Sequence, residues 1–400
     1  MIEVSEAVKL LLDNSKVCDE YITVDIQDAC GMVSYEDIKA PINVPHFPKS
    51  AMDGYAVCAK DIETATANMP VKLKVVCELL AGDYKDVEYT KNTAVRVMTG
   101  ALVPDGYDCV VRQEDTDYGE DFVNIYKAIG SYTNYCKIGE DIKKDSVIIK
   151  AGEIIRDVHI GLMASLGIAK LKIKRPLNVA IIATGTELVD LDNELTVGKI
   201  YNSTSYILSS KIKKYKQNVI ASLRCDDEEK ELAELIDRYA VEADLIITTG
   251  GVSVGKKDII EAVLTNMGAR NLFMKLNIQP GTPTKAFIYK GIPILNLSGN
   301  PYAALANFEL FFYKYLAHYM GNLSYENEIK EAVLDSEYNK VNKNRRLLRA
   351  YYSDGYVRLV DNIHASSVIA NLTECNCFID LKANIEVKKG DIVKVILFKE

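Results

Sequence analysis

The stretch of this 400-residue sequence richest in chemistry is DLIITTGGVSVGKKD, Asp244 to Asp258, where an apolar run gives way to Gly250-Gly251, then Ser253 and Gly255, ahead of a helical pattern. Glycines let the backbone approach a ligand closely, and the N-terminus of the following helix offers unpaired N–H groups and a partial positive charge. That charge is worth about 0.3 to 2 kcal/mol toward an anion. The same residues would also suit a plain strand-to-helix turn with Asp258 as N-cap or first-turn acid. A second corner, AIIATGTEL, puts Thr184, Gly185, Thr186 and Glu187 at the end of another apolar run. A third, KLNIQPGTPTK from Lys275 to Lys285, holds a rigid Pro-Gly-Thr-Pro turn, ending in Pro283, between ammonium groups that suit phosphate or an oxyanion. The fourth is LSGNP, with Gly299 for a tight turn and Pro301 at a favoured first helical position. Asp226 and Asp227, followed by Glu228 and Glu229, fit a helix start in which Asp226 caps and pairs with Glu229. Together the corners describe a site for a small ligand bearing phosphate or oxyanion groups. Metal assistance is natural there, because Mg²⁺ prefers carboxylate and phosphate oxygens.

These corners need a frame that gathers them. From Leu177 to Gly321 short apolar runs alternate with helical-period segments, which predicts a largely parallel sheet covered on both faces, with ligands beyond the strands' carboxyl ends. The strands are expected at Asn178 to Thr184, Val219 to Cys225, Asp244 to Thr249, Leu272 to Ile278 and Ile292 to Leu297. The helices fall at Ser203 to Tyr215, Asp227 to Ala243, Lys257 to Met267 and Pro301 to Met320. Before this region, β-type runs such as VKLKVVCELLAG, TAVRVMTG and Phe122 to Ile129 form a small β-rich domain. It is inserted between the amino-terminal helix with its following strands and the segment Asp141 to Arg175, which carries the helical stretch Val158 to Leu166. After Asn322 the chain returns to strands, including YVRLVD and DIVKVILF.

Composition narrows the function. With 48 Lys plus Arg against 56 Asp plus Glu, a formal charge of -8 leaves no footprint for nucleic acid, so an anionic ligand must be bound locally. The nine cysteines are scattered, with Cys375 and Cys377 the closest pair, which fits reduced thiols in a cytoplasm rather than a disulfide framework. Cys58, Cys109 and Cys225 read as buried or half-buried small residues. His46, His159, His318 and His364 are far apart, so chemistry falls to carboxylates, hydroxyls, lysines and backbone amides. The first residues, MIEVSEAVKLLLDNSK, read as an amphipathic helix capped by Ser5 rather than a signal, and no apolar run reaches membrane-spanning length.

SAMDGYA (Ser50 to Ala56), MTGALVPDGYDCVV and TTGGVSVGKKD, in that order, resemble the signature set of the molybdopterin molybdenumtransferases, the MoeA and gephyrin E-domain family. The likeness runs along essentially the whole chain. It implies an α/β plus β multidomain fold: a central MogA-like doubly wound α/β domain over 177–326, an inserted β-rich domain over 45–140, a discontinuous amino-terminal and linker domain over 1–44 and 141–176, and a small C-terminal β-barrel over 327–400. It also implies a homodimer, a pterin substrate, contact with other assembly proteins of the molybdenum cofactor, and Mg²⁺-dependent insertion of molybdate into adenylylated molybdopterin with release of AMP. By similarity Asp53 and Thr99 reach in from the partner subunit, and Asp141 of the GED segment lies near the cleft. Glu187, Asp227 and Asp258 are the implied catalytic carboxylates and Mg²⁺ ligands. Gly185, Gly250, Gly251, Ser253, Gly255, Lys275, Pro283, Gly299 and Pro301 are the implied substrate-binding residues.

Five positions depart from the family's common pattern: Thr186 where an acid or amide is frequent, Gln279 and Thr282 where lysines are frequent, Ser298 where proline is frequent, and Cys136 where arginine is frequent. A lost charged donor contributes roughly 1.5 to 3 kcal/mol, or ten- to a hundredfold in anion binding, unless Lys256, Lys257 or Lys285 compensates. Two readings therefore stand beside the active transferase: a catalytically weak paralogue acting as a pterin-binding carrier or scaffold, and a pterin or nucleotide hydrolase. The donors suit molybdate and tungstate alike.

Overall fold

Helix α1 (Val4–Asp13) opens the chain and buries Val4, Ala7, Val8 and Leu11, the spacing of a one-faced amphipathic helix. Glu3, not Ser5, occupies the N-cap position. The helix begins early because its entry is tied down: the Ile2 N–H donates to the Lys275 carbonyl (3.0 Å), and Asn277 Nδ2 donates to the Glu3 carboxylate (2.6 Å). The computed structural model describes residues 1–251, 259–360 and 365–399. They divide into two units, one of Met1–Tyr35, Gly152–Arg156 and Lys172–Glu400, the other of Glu36–Ala151 and Asp157–Leu171.

The second unit carries the β-rich insertion. Strands β1 (Gly54–Val57), β2 (Val71–Leu79), β3 (Thr93–Val97), β4 (Cys109–Arg112) and β5 (Phe122–Ile125) form one sheet in the order β4-β1-β3-β2-β5. Alternate residues feed separate cores, Tyr55, Val57, Leu73 and Val111 in one and Ala56, Leu79, Val95 and Val110 in the other. The unit also holds helix α2 (Asp157–Ser165).

In the first unit, β6 (Asn178–Thr184), β7 (Asn218–Cys225), β8 (Leu245–Thr249), β9 (Arg270–Phe273), β10 (Lys285–Tyr289) and β11 (Ile292–Leu297) form a sheet in the order β7-β6-β8-β11-β10-β9. The pairs β6–β7, β6–β8 and β8–β11 are parallel, whereas β10–β11 and β9–β10 are antiparallel. Val179, Ile181, Leu245, Ile247 and Leu295 face a core shared with α1, α3 (Ser203–Lys214) and α6 (Pro301–Met320). Ala180, Ile182, Ile246, Ile294 and Phe287 face α4 (Glu229–Tyr239) and α5 (Ile259–Asn266). Burial on both faces is why these strands read as continuous apolar runs.

Two further expectations change. The run Leu272 to Ile278 is not one strand, because β9 ends at Phe273 and Leu276 and Ile278 bury their side chains from a loop. The capping box on α4 does not form: Arg224 draws the Asp226 carboxylate into an ion pair, and the helix starts at Glu229 with Glu228 at its cap. Beyond α6, strands β12 (Ile329–Leu334), β13 (Arg346–Ser353), β14 (Tyr356–Leu359), β15 (Cys377–Leu381) and β16 (Ile392–Leu397) close into a barrel. No helix among the described residues is long and apolar enough to cross a membrane.

Candidate active site

Strands β6, β8 and β11 end side by side, at Thr184, Thr249 and Leu297. The next residues wrap the sheet's edge. The Gly250 N–H donates to the Leu297 carbonyl (3.2 Å), the Thr184 hydroxyl to the Thr249 carbonyl (3.4 Å), and the Gly185 N–H to the Cys225 carbonyl (3.3 Å). Only glycine fits the turn. Gly250 has φ of 89° and a Cβ there would lie 2.2 Å from the Thr184 carbonyl oxygen; Gly251 has φ of 64° and its Cβ would meet Ile260 at 2.8 Å.

A cavity of about 690 Å³ opens above this turn, bordered by Thr184, Glu187, Gly250, Gly251, Pro283, Gly299 and Pro301. A second, of about 620 Å³, shares Thr184, Glu187, Gly250 and Gly251 and adds Gly185, Asp227 and Glu229. Two helices begin at the larger cavity: Asn202 caps α3 by accepting the Ser205 N–H (3.2 Å), and Pro301 opens α6. Their positive ends offset the carboxylates and favour an anion. The structure therefore gathers eight of the expected residues: Gly185, Glu187, Asp227, Gly250, Gly251, Pro283, Gly299 and Pro301. Lys275 is exposed, borders neither cavity, and joins the chain's start through its carbonyl. Ser253, Gly255, Lys256, Lys257 and Asp258 lie outside the described residues. Among the described residues no three His, Cys, Asp or Glu side chains gather closely enough to hold a metal ion.

The departures at Gln279, Thr282 and Ser298 have local hydrogen-bond partners. Thr282 donates its hydroxyl to the Ile278 carbonyl (2.6 Å), and the Ser298 hydroxyl accepts the Asn300 N–H (3.3 Å). Gln279 accepts a hydrogen bond from Arg346 Nη1 (3.2 Å), and both border a third cavity of about 380 Å³ that shares Pro283, Ser298 and Asn300 with the largest. Positive charge thus reaches the Pro-Gly-Thr-Pro turn from the barrel. Lys285 is no substitute, since it is 3% exposed and paired with Glu261 (2.8 Å).

The barrel also supplies a wall. Ser367 and Ile369 border the largest cavity and Ser366 the third. Their loop is held by buried Arg349, which donates to the Val368 carbonyl (2.6 Å) and Asn371 Oδ1 (2.7 Å) and lies 4.1 Å from the centre of the Tyr302 ring. Sequence reading missed Arg346, Arg349 and this loop, and it gives Glu229 only as the capping-box partner of Asp226. The Asn-Ser-Thr-Ser run at 202–205 was the one visible signal, a cap cluster whose helix begins at the larger cavity.

In the β-rich unit, Thr99 donates both its N–H and its hydroxyl to Asp53 Oδ1, each at 2.7 Å. The hydroxyl first, and the N–H second, hold the Asp53 carboxyl below its ordinary pKa. Asp141 is exposed, with its N–H on the Val44 carbonyl (3.0 Å). Cys58 is half-buried, while Cys109 and Cys225 are buried. Burial pushes the Cys225 thiol up to about 12.

Residues 2–167 match the model for the MoeA N-terminal region (domain I and II), 180–318 that described as "Probable molybdopterin binding domain", and 331–398 that for the MoeA C-terminal region (domain IV). A molybdopterin molybdenumtransferase of Staphylococcus epidermidis is 32% identical, the alignment covering 99% of this chain and 95% of the relative. A molybdopterin molybdenumtransferase 2 of Mycobacterium tuberculosis is 35% identical over 88% and 87%. The crystal structure of a molybdopterin biosynthesis MoeA protein from Pyrococcus horikoshii superposes with a TM-score of 0.88 at 27% identity, covering all of both chains.

Proposed function

The chain belongs to the MoeA family of molybdopterin molybdenumtransferases, and we propose that it inserts molybdate into adenylylated molybdopterin, in a Mg²⁺-dependent reaction that releases AMP. The observation that carries this reading is the cavity at the sheet's carboxyl edge, where a glycine turn and two helix N-termini face the carboxylate of Glu187. Such a site binds the phosphates of a nucleotide-linked pterin through backbone N–H groups. Pro283, Gly299 and Pro301 shape its wall, and Arg346, on the adjoining cavity that shares Pro283, provides counter-charge for phosphate and molybdate. Glu187 and Asp227 border one cavity, and two carboxylates beside a phosphate site are donors that suit Mg²⁺. With Asp258 they would hold the ion, which when bound neutralises phosphate charge as the leaving group departs. Asp53, kept ionised by Thr99 and reaching in from the partner subunit, and Asp141 position or hydrolyse the AMP-pterin bond. In this reading Ser253 and Gly255 also bind the substrate, and the protein acts as a cytoplasmic homodimer.

The test is AMP release from adenylylated molybdopterin by the purified protein, with and without molybdate and Mg²⁺, following metal in the pterin product. Molybdate-dependent release with metal insertion is expected. Tight pterin binding without turnover would make the protein a carrier or scaffold, and AMP release indifferent to molybdate would make it a hydrolase.

A further inference from the structure

Beneath the glycine turn runs a row of buried polar side chains that the reaction above leaves unused. In the sheet register Thr248 of β8 lies opposite Asn296 of β11, and Asn296 lies opposite Lys285 of β10. All three share the face of Ile246, Ile294 and Phe287, which otherwise meets α4 and α5 as apolar core. Thr248 and Asn296 are fully buried and Lys285 nearly so. Polar groups persist in such a place only when they are bonded. Lys285 pairs with Glu261 on α5, and Asn296 Nδ2 donates to the Thr248 hydroxyl (2.8 Å) and to the Gly250 carbonyl (3.3 Å). A carbonyl can only accept, so the amide's NH₂ must face Gly250, which fixes its orientation. Asn296 Oδ1 is buried without a hydrogen-bond partner among the described residues, so the amide's place is not explained by its own satisfaction.

We infer that Asn296 is a positioning residue for anion binding: by tying the Gly250 carbonyl back into the protein, it presents the Gly251 N–H to the cavity. In a planar trans peptide the C=O and N–H point in opposite directions. The Gly250 carbonyl is held from beneath by Asn296, and the Gly250 N–H is already spent on the Leu297 carbonyl. The Gly251 N–H is left as the donor facing away from the core, and Gly251 borders both large cavities. Without the Asn296 bond the Gly250-Gly251 peptide, between two residues with no side chains, is free to rotate and offer its carbonyl to an anion instead. The ligand group addressed is a phosphate ester or an oxyanion. This deepens the substrate reading above and rests on it.

The test compares N296L with T248V, which removes the hydroxyl neighbour but leaves the Asn296 bond to Gly250. Molybdopterin is the probe, and hydrogen exchange of the Gly250 amide reports the turn without any ligand. N296L is expected to bind molybdopterin about tenfold more weakly, with saturated turnover within about twofold of wild type and faster Gly250 exchange, while T248V matches wild type in all three. N296D keeps the shape and puts an oxygen against the Gly250 carbonyl, so it answers the same question if N296L does not fold. Wild-type affinity and exchange in the Asn296 variants, or equal weakening by T248V, would overturn the inference. Failure of the wild-type protein to bind molybdopterin would sink the substrate reading instead, and Gly250 exchange alone would then decide the role of Asn296.

Discussion

The two regions that hold the candidate residues are built by opposite means. At the carboxyl edge of β6, β8 and β11 the backbone makes the site, through glycines in left-handed conformations, helix N-termini and carbonyls bonded from below. In the β-rich unit a side chain makes it, a single carboxylate held by one threonine. A backbone-built site has no conservative substitutions at its glycines, whereas a side-chain-built one can be tuned atom by atom. Three experiments set this contrast at risk.

The largest effect is expected from G250A. Its methyl group would lie 2.2 Å from the Thr184 carbonyl, at a φ no alanine favours. Stability should fall by about 1 to 3 kcal/mol, read from chemical denaturation. Turnover should fall at least about a hundredfold, because the turn can relieve the clash only by moving the atoms that border the cavity. Near-normal turnover would mean that the edge is more plastic than its dihedrals indicate.

Next in size is R346M, expected to raise the KM for molybdate about ten- to a hundredfold. Q279K in the R346M background should recover most of that loss by returning a cation to the turn from the neighbouring position. Failure of the double variant to recover would place the charge of Arg346 outside ligand binding.

The smallest effect is expected from T99V, with T99S as the matched control. Removing the hydroxyl takes away the larger cause of the lowered Asp53 pKa and leaves the backbone N–H, so the pKa should rise part of the way to its ordinary value. A carboxyl whose folded pKa is depressed contributes stability above its unfolded pKa and loses it as pH falls through the folded one. T99V should therefore move the acid limb of activity to higher pH, while T99S leaves it unchanged. Carbon-13 NMR titration of Asp53 reads the shift directly, and an unmoved titration would show that the hydroxyl does not set it.

How much of this was legible in the sequence follows the same divide. Strands β6 and β11 and helix α6 begin and end where their apolar runs, Pro301 and the glycines at 299 and 321 place them, because those signals are local. The four corners were readable for the same reason, and so was the doubly wound core they frame. Leu272 to Ile278 misled because residues buried from a loop give the same apolar pattern as a strand. Strand β10 escaped notice because it starts at a lysine whose burial depends on Glu261, 24 positions earlier on another element. Arg346 meets Gln279 across 67 positions, and Arg349 meets Val368 and Asn371 of its loop across 19 and 22, so no local pattern could have shown either. The Asp226 cap failed through competition, when a neighbouring guanidinium took the carboxylate first.

The hold of Arg349 on the loop carrying Ser366 and Ser367 bears on how this chain can be taken apart. Its guanidinium lies over Tyr302, one residue into α6, and the Tyr302 hydroxyl donates in turn to the Leu347 carbonyl (2.7 Å). The barrel and the opening turn of α6 are thus laced together at the rim of the cavity. A recombinant fragment ending before β12 would strip the Tyr302 ring of its Arg349 and Phe378 neighbours and leave the cavity short of a wall, however well its sheet folded. The barrel is not a detachable tail, and grafts between homologues should exchange it together with α6.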